Sequence, residues 1–533
     1  MTALPATPLE APAAAPGARR VGVQCGPFRR FAIWTLALSL PLILGLCAVL
    51  APLEAIDVLL VTLFALNTLW VAAAAVTALM GARDEEAAAA RDRAPAHWHP
   101  KDRAAVLYLI CGENPRDVAE RIAAMAADLG RSGLGDVTDI WLLSDTPEDK
   151  LDAEKVALAT LTQRGAVRYR RRPENSRRKP GNLADWIKAH GTQYETMLVM
   201  DADSTMTAAR LRDLRYRMAC APSLGLLQSG IALRPAETRF GRLQRLSTRL
   251  TGPVFGRGLA AWSGSAGNYW GHNALIRVGA FRTVMHLPAL SGPAPYGGDF
   301  LSHDFIEAAW LVRAGWAVEI APDTRGSSEE APGDLRTFHR RDRRWCQGNL
   351  QHLRAITAPG LSAVSRLHLA LGIQSYLSSP IWLTIILLFL LAGMAPGAVP
   401  VLSGALALLL VPKVAALARF WQRTRLRGRR RVFLRATGAE LLLSTLVSPL
   451  VMVRQSLAVA SVVAGQDSGW KRPGKRAPVV LPPGTVEAAV GLALVLIVLL
   501  WGETTGQALW LTLICGPLLA APWLVPWLDA RPA

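Results

Sequence analysis

Two apolar runs open the ordered part of the chain, Phe31 to about Pro52 and Val58–Met80. Each is long enough to cross a bilayer core of roughly 30 Å as a helix rising about 1.5 Å per residue. They predict a pair of membrane helices over 31–80, joined by a short external turn around Glu54–Asp57. The residues before them, 1–30, read as a disordered cytosolic tail. Residues 1–18 are rich in Ala and Pro, and Arg19, Arg20, Arg29 and Arg30 follow. A cleavable secretory signal is the competing reading, but the full-length apolar run and the second run directly behind it favour membrane helices.

The pattern changes over 81–365. Short apolar runs there alternate with helical spacing. "AAVLYLIC" (104–111) is strand-like and precedes the helical "PRDVAERIAAMAADLG"; "VTDIWLLSD" (137–145) and "ETMLVMDAD" (195–203) are further buried strands that end in acidic residues. This alternation predicts βαβ units, a mostly parallel Rossmann-like sheet, and ligands beyond the carboxyl ends of the strands. No internal repeat, Walker loop or GxGxxG loop is present.

Beyond the block, 366–533 turns apolar again, near 370–393, 397–412, 485–501 and 506–528. With the first pair these predict six spans. The stretch 438–464 holds Pro449 and Arg454 between two basic flanks, so it should cross twice or not at all, as a tight hairpin or a pair of interfacial helices. A hairpin there would bring the count to eight.

Composition sharpens this picture. The chain has 533 residues, 51% of them hydrophobic, and a mean hydropathy of +0.25, too apolar for an ordinary soluble enzyme. The formal net charge of +19 would suit a nucleic-acid binder. Much of it, however, flanks the apolar segments, from Arg419 to Arg435 and from Lys471 to Arg476. That is the positive-inside pattern, and it puts the block and both termini in the cytosol. Six cysteines (Cys25, Cys47, Cys111, Cys220, Cys346, Cys515) form no CxxC pair and read as reduced thiols.

Four places carry candidate chemistry. Asp201-Ala-Asp203 closes a hydrophobic strand, and two carboxylates two residues apart on a strand-end turn can share Mg²⁺ or Mn²⁺ and a diphosphate. Asp145 ends another strand, where a helix N-cap is the plainer role. Asp304, beside His303, opens an amphipathic helix as either a cap or a general base. "HRRDRRWCQGN" (339–349) sets arginines around one tryptophan. Guanidinium forks suit a diphosphate and an indole suits a sugar face, and the interleaved aromatics of a nucleic-acid surface are missing. Arg340 and Arg343 are expected to pair with acids such as Asp342 or to face lipid headgroups.

The order Asp145, Asp201-Ala-Asp203, Asp304, Arg341-x-x-Arg344-Trp345, then membrane helices resembles the processive family 2 glycosyltransferases. It is similar above all to the glucans biosynthesis glucosyltransferase H family. The likeness runs over about 100–355 through "RRKPGN" (177–182), "MDADS" (200–204), "RFGRLQRLSTRLTGPVFGRGLAAW" (239–262), "GNYWGHNALIR" (267–277), "LSHDFIEAA" (301–309) and "RRDRRWCQGNLQH" (340–352). The resemblance implies a cytosolic GT-A-like catalytic domain between membrane helices in the bacterial inner membrane. It implies UDP-glucose as donor, Mg²⁺ or Mn²⁺ as cofactor and a growing β-(1,2)-glucan as acceptor. A periplasmic glucan biosynthesis protein and an acyl carrier protein come with it as partners; nucleic acid does not.

By the same resemblance Glu113, Asp145, Lys179, Asp201, Asp203 and Arg341 meet the nucleotide sugar, with the metal on Asp203 and Asp201. Asp304 is the base, and Arg344 and Trp345 hold the diphosphate and the acceptor. Trp270, His272 and Asn273 touch the growing chain, although His272 fits a hydrogen-bonded core histidine equally well. Two departures stand out: Gly112 replaces the family's Asn in "CGEN", and the chain is shorter than the large members. Another processive β-glycan synthase (cellulose, curdlan or chitin type) is the nearest alternative, although no PilZ-type domain follows the last helices. A non-catalytic channel or scaffold is more remote, having no use for carboxylates at 201, 203 and 304.

Overall fold

The computed structural model describes residues 25–83, 93–392, 397–424, 426–468, 481–501 and 505–532. The alanine-rich tail, Arg19, Arg20 and the basic patch at 471–476 lie outside the described residues.

Helices α1 (Cys25–Leu50) and α2 (Ala55–Arg83) come first. The central block then runs β1 (Ala104–Ile110), α3 (Pro115–Arg131), β2 (Thr138–Ser144), α4 (Glu148–Gln163), β3 (Arg168–Arg171), α5 (Arg178–His190), β4 (Thr196–Asp201), β5 (Thr205–Met206), α6 (Ala208–Cys220), β6 (Leu224–Ser229) and β7 (Ala232–Leu233). It continues through α7 (Arg239–Ser263), β8 (Ala274–Arg277), α8 (Val278–Arg282), α9 (His303–Arg313), β9 (Ala317–Ala321), β10 (Ser327–Glu329) and α10 (Leu335–Gln351). Helices α11 (Ala363–Ala392), α12 (Ala398–Arg423), α13 (Arg427–Val463), α14 (Thr485–Trp501), α15 (Thr505–Leu519) and α16 (Ala521–Asp529) follow.

The main sheet has seven strands in the order β3-β2-β1-β4-β8-β6-β9. All neighbours pair in parallel except β8, which is antiparallel to both β4 and β6. This is the GT-A-like arrangement expected. Side chains alternate across a strand, so β1 feeds two cores. Ala105, Leu107 and Leu109 pack with Trp186, Tyr194, Phe281, Ile306 and Leu311 on one face. Val106, Tyr108 and Ile110 pack with Val118, Ile122, Met125, Leu211 and Leu214 on the other. Covered on both faces, the strands carry the continuous apolar runs seen in the sequence. A small second sheet, β5-β10-β7, lies beside the strand ends and had no sequence signal, its strands being two or three residues long.

Among the described residues, five helices are long and apolar enough to cross a membrane: Gly26–Leu50, Ala55–Arg83, Ala363–Leu391, Ala398–Arg423 and Arg427–Val463. Such a set fits a multi-pass membrane protein. Three details differ from expectation. The stretch 438–464 is part of one continuous 37-residue helix, α13, rather than a hairpin or a pair of helices. Arg454, the charge that argued against a plain helix there, is held by both carboxylate oxygens of Glu487, at 2.5 and 2.9 Å, which offsets the cost of burying it. The stretch 506–528 bends by 68° between Leu511–Leu519 and Ala521–Asp529. Pro522 is the second residue of the second piece, and it has no N–H to donate back to the first. Thr485–Leu500 is a shorter apolar helix.

Helix α7 joins the two regions. It packs along α2 so closely that a Cβ on Gly258 would lie 1.7 Å from the carbonyl oxygen of Thr77. Only glycine permits that approach.

Candidate active site

A cavity of about 1650 Å³ opens at the carboxyl ends of β1 and β4. It is lined by Glu113, Asp145, Lys179, Asp201, Asp203, Trp270, His272, Asp304, Arg341, Arg344 and Trp345. Twelve positions were singled out in the sequence, and this cavity gathers all of them but Asn273.

Asp201 is the last residue of β4, and the turn after it carries Asp203. The two carboxylates differ sharply. Burial would raise Asp201, but the ammonium of Lys179, ion-paired with it, together with His272 and His303 holds it below the usual carboxylate range. Asp203 has no ion pair among the described residues. Burial, then the charge of Asp201 beside it, pushes its carboxyl up. Glu113 behaves likewise, raised by burial and by both aspartates although the Cys111 N–H donates to its Oε2 at 2.5 Å. Uncompensated acid oxygens of this kind are hard donors suited to Mg²⁺ or Mn²⁺. No cluster of three or more His, Cys, Asp or Glu ligands exists among the described residues, so oxygens of a bound diphosphate and water would complete the shell.

Asp145 is not the helix cap that its sequence context suggested; Pro147 takes the N-cap position of α4. Its two oxygens instead accept from Arg172 Nε and Nη2 at 2.6 and 2.9 Å. Both side chains are nearly covered, at 7% and 4% exposure.

Asp304 sits in the first turn of α9, as the sequence indicated. Gly271, at φ +87°, brings the "YWGHN" turn against it; a Cβ there would lie 3.5 Å from Asp304 Oδ2. Burial raises the Asp304 carboxyl, the neighbouring His303 draws it back down, and Glu307 raises it again, leaving it above its ordinary value. His303 Nδ1 lies 3.1 Å from Glu307 Oε1, one turn along α9. Burial lowers the His303 imidazole, but Glu307 and Asp304 together reverse this and the net shift is upward. The His-x-x-x-Glu spacing is the sequence signal of this pair, since residues four apart share a helix face.

Helix α10 brings the arginine cluster to the cavity wall. The guanidinium of Arg341 lies over the Trp345 ring, 4.5 Å from its centroid, and Trp345 remains 40% exposed. Arg344 is pulled below its ordinary value by burial and by Arg341 and Arg178. An anion arriving there relieves the repulsion. The expected partners of Arg340 and Arg343 are corrected. Arg340 donates to Thr337 Oγ1 at 3.1 Å and Arg343 to Gln466 Oε1 at 3.5 Å. Asp342 points away from both, because consecutive residues of a helix face different directions.

His272 lines the cavity and is hydrogen-bonded as well, whereas Asn273 takes a different place from that expected. His272 Nδ1 lies 3.0 Å from Ser204 Oγ and Nε2 lies 3.3 Å from Glu329 Oε2, so the ring bridges the aspartate turn and β10 at the cavity edge. Asn273 is fully buried, at φ 50°, and its amide donates to Ser327 Oγ at 2.8 Å and Thr205 O at 3.3 Å. It ties the small sheet together and does not line the cavity. Glu329 and Glu330, which do line it, were missed, because only the three-dimensional pairing of β10 with β5 and β7 brings them there.

Residues 196–395 match the family model "Glycosyl transferase family group 2". Curated relatives named glucans biosynthesis glucosyltransferase H align over most of the chain. The one from Vibrio cholerae is 41% identical over 453 residues, covering 78% of this chain and 62% of its own. That from Shewanella baltica is 37% identical over 489 residues, covering 84% and 67%. A solved mannosyltransferase from Pyrobaculum calidifontis, in complex with GDP-Man and Mn²⁺, aligns over 71% of this chain and 99% of its own, at 16% identity and a TM-score of 0.43. The chain thus spans 62% of the Vibrio relative's length. With a GT-A-like sheet, the strand-end aspartates and this extent of identity, the chain belongs to the glucans biosynthesis glucosyltransferase H family.

Proposed function

We propose that the protein transfers glucose from UDP-glucose to a hydroxyl of a growing β-glucan, with inversion at the anomeric carbon. The observation that carries this reading is the convergence of Asp304, the Asp201–Asp203 turn and Arg344–Trp345 on one cavity. A base, a diphosphate site and a sugar platform are the three parts that a direct glycosyl displacement needs.

Asp304 takes the proton of the acceptor hydroxyl, whose oxygen bonds to the anomeric carbon. The bond from that carbon to UDP breaks, and its electron pair leaves with the diphosphate. One base and one displacement give inversion without an enzyme-bound intermediate. A raised carboxyl pKa strengthens Asp304 as a base, while the charges of His303 and Lys179 favour its ionised form. Arg344, crowded by other arginines, is set to stabilise the leaving diphosphate. A divalent cation on Asp203 supplies further charge stabilisation to that group when bound. Trp345, partly exposed beside Arg341, offers its face to the acceptor sugar.

The β-(1,2) linkage, coupling to export, an inner-membrane location with both termini cytosolic, and partnership with a periplasmic glucan biosynthesis protein and an acyl carrier protein belong to the same proposal. Their support is family membership and the candidate spans. Membranes incubated with labelled UDP-glucose and Mg²⁺ test it, comparing the parent with Asp304→Asn. Polymer from the parent alone is expected, with β-(1,2) bonds on linkage analysis. Equal synthesis by both sinks the mechanism.

A further inference from the structure

The arginine-rich helix α10 has a second face. Residues 341, 344 and 345 share one side and line the cavity. Asp342 and Cys346, one turn apart, face the other way. Cys346 packs there with Ile373, Tyr376, Val459 and Val462 of α11 and α13. Asp342 is buried on the same side and makes no ion pair among the described residues, although arginines precede and follow it. Its Oδ1 accepts from Tyr376 Oη and its Oδ2 from Gln455 Nε2, both at 3.1 Å. Ser379 Oγ donates to Gln455 Oε1 at 2.6 Å, so both ends of the Gln455 amide are engaged, its oxygen by Ser379 and its nitrogen by Asp342.

A buried carboxylate satisfied by two neutral donors is a costly way to fill space, and an apolar residue of similar size would pack more cheaply. What the carboxylate gains is direction. It accepts from two helices at once, so α10 can neither rotate nor slide without losing both bonds. The far end of α10 is fixed too. Gln351 Oε1 accepts from Leu301 N at 2.9 Å, and His352 Nε2 lies 3.0 Å from Ser302 O, on the loop that leads directly into Asp304.

We propose that Asp342 is a positioning residue, through which the apolar helices α11 and α13 set where Arg341, Arg344 and Trp345 stand relative to Asp304. The inference rests on the glucosyl-transfer reading, since its consequence is the geometry of the leaving-group site. Displacing reacting groups by about 1 Å costs on the order of 10²-fold in rate. The loss therefore falls on turnover rather than on substrate binding.

The full-length protein in nanodiscs provides the test, with Asp342→Ala and the exchange pair Asp342→Asn with Gln455→Glu. The pair moves the carboxylate to α13 and keeps the number of hydrogen bonds. For Asp342→Ala, turnover of labelled UDP-glucose should fall about 10²-fold, with KM for UDP-glucose little changed. Amide hydrogen exchange should rise over 335–351 and not across the sheet. The exchange pair should restore most of the turnover and the protection of α10. Unchanged turnover or unchanged exchange in Asp342→Ala overturns the proposal. So does a rise in exchange throughout the block that the paired variant does not reverse, since that marks Asp342 as merely structural. A parent protein without turnover would instead defeat the glucosyl-transfer reading, and exchange over α10 would still decide the role of Asp342.

Discussion

Two places in the cavity use the same side chain in opposite settings. At the end of β4, Asp201 is ion-paired with Lys179 while Asp203, two residues on, has no ion pair among the described residues and is pushed up by burial. At the start of α9, Asp304 stands beside an imidazole whose pKa Glu307, one turn along the same helix, helps to raise. The first arrangement leaves one carboxylate in want of a cation. The second raises a carboxylate by burial while the imidazole beside it pulls the other way. Chemical role follows from the neighbours of each aspartate, not from its identity.

Substitutions can break this contrast. Asp304→Asn should lower glucosyl transfer by about 10³-fold, the range typical of a lost general base, while UDP still binds; initial rates and UDP titration check both. Arg344→Ala, on the leaving-group side, should cost about 10²-fold in kcat, comparable to losing one preorganised donor. Saturation kinetics would reveal a purely KM effect, which is not expected. Chelation by EDTA should stop the reaction and added Mn²⁺ or Mg²⁺ restore it. Asp203→Asn should need more metal for half-maximal activity, whereas Asp304→Asn should not. Arg172→Ala strands the buried Asp145 carboxylate and should destabilise the fold by about 3 kcal/mol, read as a fall in Tm.

The smallest effect sharpens the comparison instead. Asp304 works only when ionised, and its pKa is raised, so activity falls as pH drops through that elevated value. The charge on His303 lowers the Asp304 pKa. His303→Gln therefore moves the acidic limb of the kcat/KM profile to higher pH, and a limb that stays put or moves down contradicts the account.

Legibility differed between these regions for a physical reason. The parallel core declared itself because strands buried on both faces must be continuously apolar, as "AAVLYLI" and "TMLVM" are. The strand-end aspartates followed, since ligand sites gather where such strands stop. Asn273 was misplaced because a motif position shows proximity to a site, not the direction of a side chain. Here a left-handed backbone turns the amide into the small sheet. The uninterrupted course of α13 was hidden because the partner that makes Arg454 tolerable, Glu487, lies 33 residues away.

Local pattern alone determined the alternation of strands and helices, the apolar segments, the aspartates at 201, 203 and 304, and the arginine–tryptophan cluster. These depend on side-chain period and on residues within a few positions of one another. Tertiary structure alone decided which aspartate is paired and which is not, that Glu329 reaches His272, and that Asp342 turns from its arginines toward Tyr376 and Gln455. Charge and hydrogen bonding act over a few ångströms of space, and the chain brings those partners together only once it has folded.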